Sequence, residues 1–108
     1  MKGTIRPPGH LSAEAKKIWG EILVEYQIDD AAGLRILRVA LESFDRSQMA
    51  RKTIRRDGMT FIDKAGQVKS HPLLPIERDS RAAFLTALKA LNLDILPLND
   101  RPGRPNGK

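Results

Sequence analysis

The sequence predicts a mainly α fold: an antiparallel helical hairpin with a long second helix, followed by a short β-hairpin and a third helix. Three observations lead there. Apolar residues recur at three- and four-residue spacing through most of the chain, the period of a helix with one buried face. Two short strand-like runs, "MTFID" and "QVKS", flank "DKAG", a polar stretch with glycine where a hairpin turn wants one. Cap residues and prolines fall at the joins between these patterns.

The 108 residues suffice for one domain with a thin core. Residues 1–10, "MKGTIRPPGH", read as a flexible basic arm, since proline and glycine oppose regular structure. Residues 11–98 form a single helical domain with its β-hairpin near 59–70, and residues 99–108 form a basic flexible tail.

Within the domain, Ser12 suits a helix N-cap, with Glu14 in the first turn where the helix dipole favours it. The first helix runs from about Ala13 to Gln27. Ala15, Ile18, Trp19, Ile22, Leu23 and Tyr26 fall within about 140° of arc and form its apolar stripe. Val24 and Ile28 lie on the opposite side. Asp29 or Asp30 caps the second helix, from Ala31 to Arg56, which at that length reaches about 39 Å. Leu34, Leu37, Ala40, Leu41, Phe44 and Ser47 make its buried stripe, and the short connection pairs it antiparallel with the first helix.

The same helical wheel carried forward puts Arg51 and Arg55 on the stripe of Leu37 and Phe44, with Lys52 and Arg56 on the neighbouring side. A helix does not bury unpaired arginines in its own core. This end therefore projects beyond the core or lines a surface shared with another molecule. The competing reading is that cations gather at a helix C-terminus because the dipole favours them, which accounts for one or two more readily than four.

Gly58 then supplies the positive φ of a C-cap. In the hairpin, Met59, Phe61 and Val68 are expected to face the helices, with Thr60, Lys64 and Lys69 facing water. A lone hairpin is marginal, so it must pack on the helices or extend another subunit's sheet. The third helix starts near Pro75, which suits a first turn, and ends near Asn92. Its expected buried face is Ile76, Ser80, Ala83, Phe84, Ala87, Leu88 and Leu91, leaving Leu85 off the stripe.

A net charge of +6 and a pI near 10.1 favour a polyanionic partner, nucleic acid before an anionic membrane. No apolar run approaches a membrane span and no signal segment opens the chain, so the protein is expected to stay where it is made. The lack of cysteine excludes disulfides and cysteine-based metal sites. There is no phosphate-cradling glycine loop before a lysine. His10 and His71 lie far apart with no helical ligand at metal spacing, and the acidic pair Asp29–Asp30 sits at a cap. A binding protein without cofactor or metal is expected, rather than an enzyme.

The ordered set "LSAEAKKIWGEI", "DDAAGLRILRVALESFDRS" and "RRDGMTFIDKAGQVKSHPLLPIERDSRAAFLTALKALNL" resembles the small terminase subunits of tailed bacteriophages. Within them it is most similar to the short, single-domain group found with HK-type lambdoid packaging systems. The resemblance covers residues 9–99 and is carried most specifically by Gly58, the turn at Gly66, His71-Pro72 and the leucine-rich third helix. It implies a non-enzymatic part of the genome-packaging machine in the bacterial host cytoplasm. Such subunits form homo-oligomeric rings, bind double-stranded viral DNA, and deliver it to the large terminase subunit, which holds the ATPase and nuclease.

On this reading Arg51, Lys52, Arg55 and Arg56 contact phosphates, helped by Lys2, Arg6, Lys16 and Lys17 or by Arg101, Arg104 and Lys108 of the tail. Val24, Ile28 and Leu85, off the intramolecular stripes, are the expected subunit contacts. Two other readings compete. One is an assembly adaptor whose cations face the large subunit with little DNA affinity. The other is a small phage transcription regulator, against which stands the lack of a compact helix-turn-helix.

Overall fold

A computed structural model describes residues 5–91, in the order α1 (Ala13–Tyr26), α2 (Ala31–Asp57), β1 (Thr60–Ile62), β2 (Val68–Ser70) and α3 (Leu73–Ala90). The mainly helical fold with a short antiparallel hairpin between the last two helices is the one the sequence predicts. The cap residues at the first two helix starts act as expected. Ser12 Oγ accepts from the Ala15 amide at 3.0 Å and donates to Asp45 Oδ1 of α2 at 2.5 Å, so one hydroxyl both starts α1 and ties it to α2. Asp30 accepts from the Gly33 amide at 2.9 Å and opens α2. Gln27 closes α1 in the left-handed region at φ 51°. Gly58, at φ 93°, closes α2, its amide donating to the Ile54 carbonyl at 2.6 Å.

The core lies where α1 crosses the first half of α2. Leu11, Ala15 and Trp19 meet Leu37 and Leu41, with Phe44, Phe84 and Leu91 packed on the cluster. Both α1 and α3 run antiparallel to α2: Ser12 reaches Asp45, and further along Ser47 meets Glu77 of α3. The closest pairing is α2 with α3 rather than α2 with α1. Ser43, Ser47 and Ala50 of α2 and Ser80 of α3 are all buried, and side chains this small let two helix backbones approach closely. The tilted Phe44–Phe84 ring pair, centroids 5.3 Å apart, fills the space beyond them.

Three expectations change. Residues 5–10 do not form a free arm. Trp19 Nε1 donates to the Ile5 carbonyl at 3.0 Å, the Leu11 amide donates to the Pro8 carbonyl at 3.3 Å, and His10 pairs with Glu42 at 2.7 Å. A buried indole N–H needs an acceptor, and the arm supplies it. Next, α3 begins two residues before Pro75. The Leu73 amide donates to His71 Nδ1 at 3.0 Å and the Leu74 amide to the His71 carbonyl at 3.1 Å, so His71 serves the first amides and Pro75 has none to serve. On the resulting face Ser80 and Leu88 are buried, while Ile76 and Ala83 are exposed, contrary to expectation.

The third change concerns the hairpin, which does not pack on the helices. Its register pairs Thr60 with Ser70, Phe61 with Lys69, and Ile62 with Val68. Because strand side chains alternate, Phe61 and Val68 point to opposite faces and cannot share the core face expected of them. Met59, Phe61, Ile62 and Val68 are all exposed, Ile62 and Val68 at 70% and 69%. The loop holds itself together. Asp63 accepts from the Ala65 and Gln67 amides at 2.9 Å each, and Gly66, at φ 83°, takes the left-handed position of a three-residue turn.

Candidate nucleic-acid interface

The C-terminal end of α2 meets the start of α3 because the β-hairpin returns the chain on itself. Between them lies an open groove of about 670 Å³, with Ile54, Met59 and Leu74 as its apolar part and Arg51, Arg55 and Arg81 as its cations. Arg51 and Arg55 are one helical turn apart, so both present the same edge of α2. Among the described residues neither forms an ion pair within 4 Å, which leaves two exposed guanidiniums unneutralised.

Glu77 is the carboxylate of this groove. Its side chain is only 13% exposed, it accepts from Ser47 Oγ at 3.0 Å, and it holds Arg81 through Nε at 3.0 Å and Nη2 at 3.2 Å. The Arg81 bond is the main cause that holds its pKa below the ordinary carboxylate range. Burial opposes this, and Ser47 and the charge of Arg51 add to it. Glu77 therefore stays ionised at neutral pH, yet one carboxylate facing three guanidiniums leaves the groove positive.

The cations expected to act as one cluster divide. Lys52 turns to a different groove, of about 980 Å³, which it shares with Glu14, Glu42 and Asp45 of the α1–α2 side. Arg56 bonds its neighbour Asp57 through Nε at 2.8 Å and Nη2 at 3.3 Å while its side chain remains 73% exposed. A step of 100° per residue separates Arg51 from Lys52 and Arg55 from Arg56, so four cations in six residues cannot share one edge. Lys16 and Lys17 are exposed on α1 without an ion pair among the described residues. Arg101 and Arg104 lie outside the described residues, as do Lys2 and Lys108.

Of the expected subunit contacts, Val24 and Leu85 are well exposed. Ile28 is half-buried, its Cγ2 close over Gly33 at the start of α2, so it helps to seat the α1–α2 connection.

Two groups of cations escaped the sequence reading. Arg81 belongs to the groove although it lies 26 positions beyond Arg55. Its signal was the i,i+4 spacing from Glu77 on a helix that a hairpin must bring back beside the end of α2. Arg35 and Arg38 join Arg6 around a smaller groove of about 330 Å³ beside Trp19, at the other end of α2. Arg38 there bonds Glu42 at 3.2 Å.

His71 ties the end of α2 to the start of α3, the two helices that border the groove of Arg51 and Arg55. It is buried, its Nε2 lies 3.0 Å from Asp57 Oδ2, and its backbone amide donates to the Met59 carbonyl at 2.7 Å. Since Nδ1 accepts from the Leu73 amide, the ring proton sits on Nε2 and is donated to Asp57. The bond from Arg56 and then that from His71 hold the Asp57 pKa down at about 2.

Among the described residues no group of acidic or histidine side chains is arranged to hold a metal ion, and no helix is long and apolar enough to cross a membrane. Compared with protein families, curated proteins and solved structures, the chain matches none.

Proposed function

We propose that the protein is the small terminase subunit of a tailed phage, a homo-oligomer that binds viral DNA and delivers it to the large ATPase and nuclease subunit. The observation that carries the DNA-binding part is the convergence on an open groove of Arg51 and Arg55, neither of which has a carboxylate within ion-pair distance among the described residues. Unneutralised guanidiniums on a rigid helix suit phosphate, whose oxygens accept their planar fork. The terminase part rests on the resemblance of residues 9–99, and the exposed apolar hairpin suits a protein that assembles with copies of itself.

Binding is driven by the phosphate backbone, with log affinity falling by about 0.9 per unit log salt for each phosphate neutralised. Several subunits presenting a few cations each gain avidity that one lacks. Changing Arg51, Lys52, Arg55 and Arg56 together to alanine should abolish retention of duplex DNA at low salt while the helical circular dichroism is kept. Unaltered retention would refute the assignment.

The same groove favours one other reading, because its apolar part also suits an acidic protein surface. In that case the chain is an adaptor for the large subunit. A gel shift without the large subunit beside a pull-down with it separates the two: the proposal requires a shift with DNA alone.

A further inference from the structure

We infer that Arg81 of α3 is a third phosphate-contacting guanidinium of the groove, held toward it by Glu77. The inference rests on the DNA-binding reading above and adds a residue from a different helix. Arg81 bonds both oxygens of Glu77 through Nε at 3.0 Å and Nη2 at 3.2 Å, so one edge of its fork is occupied and Nη1 is left without a partner among the described residues.

An exposed i,i+4 pair on a helix surface would ordinarily mean little, because both side chains move freely. Here the carboxylate is not free. Ser47, buried on α2, donates to Glu77 at 3.0 Å and pins it across the junction of the two helices. Arg81 is thus fixed relative to Arg51 and Arg55, while its own side chain is 53% exposed and lines the same groove. A long side chain ordered before its ligand arrives loses less freedom on binding. Three guanidiniums from two helices also fix the direction of a phosphate backbone better than two on one helix edge.

The test is a salt titration with a fluorescent duplex oligonucleotide, comparing the intact chain with Arg81→Gln, Arg81→Lys, Arg78→Gln and the Arg51→Gln/Arg55→Gln pair. Arg78 is the control: it lies on the same helix, bonds Asp79 at 3.2 Å, and does not line the groove. Arg81→Gln should lower the slope of log affinity against log salt by about 0.9 per subunit engaged, and Arg78→Gln should leave it unchanged. Arg81→Lys should keep the slope and lose affinity about two- to fivefold, since lysine cannot reproduce the fork on Glu77.

Equal losses in Arg81→Gln and Arg78→Gln would reduce Arg81 to a share of the net charge and overturn the inference. An unchanged slope in Arg81→Gln, with a reduced slope in the Arg51/Arg55 pair, would overturn it and leave the DNA-binding reading standing. Unchanged slopes in every variant would overturn both.

Discussion

His71 is buried between the exposed residues Ser70 and Pro72 because both its ring nitrogens have partners. One nitrogen serves the first turn of α3 and the other the last residue of α2, so a single imidazole joins the two helices that form the groove. His71→Ala removes a helix-start acceptor and a hydrogen bond to a charged group, and should lower unfolding free energy by about 2 kcal/mol in a denaturant titration. The Asp57 partner gives this junction a pH dependence. Its pKa falls from an ordinary 3.8 to about 2 on folding, so the unfolded chain binds the proton more readily. The associated stability is fully present above the ordinary value and is lost as the pH falls through the folded one. Between those limits the intact protein should lose stability on acidification more steeply than Asp57→Asn, as read by thermal melts across the acid range.

At the scale of elements, the helices were legible and their neighbours less so. Ser12, Asp30 and Gly58 act as the caps that their residue types suggest, because capping depends on a few adjacent atoms. α3 starts two residues ahead of Pro75 because its first amides are served by a histidine side chain, a partner that composition does not announce. Strand positions in the hairpin were legible, but the face of each side chain was not. Turn length sets the register, and the Asp63–Gln67 closure puts Phe61 opposite Lys69. That register leaves Ile62 and Val68 paired on one exposed face of an unsupported two-stranded sheet. For the oligomer proposed above, this exposed apolar face is the surface offered to another copy. The double substitution Ile62→Thr/Val68→Thr keeps the β preference and removes the apolar contact. It should shift the assembly toward monomer in native mass spectrometry at physiological salt, whereas an unchanged assembly mass would clear the hairpin of that role.

Across the described residues, the groove-lining arginines are divided by the geometry of one long helix. Arg6, Arg35 and Arg38 gather near its start, and Arg51, Arg55 and Arg81 near its end. A linear reading of "ARKTIRR" finds the second gathering but overstates it, since Lys52 and Arg56 turn to other sides, and it misses the arginine that the hairpin brings back. The separation also makes a distinct demand on any polyanion: contact at the far end must shield some arginines and spare others. Arginine modification by phenylglyoxal, read residue by residue in a mass spectrometer with and without duplex DNA, tests this most directly. DNA at low salt should protect Arg51 and Arg55 severalfold, leave Arg78 as reactive as in the free protein, and lose its protective effect at high salt. Equal reactivity of Arg51 and Arg55 in free and DNA-saturated protein would contradict the account.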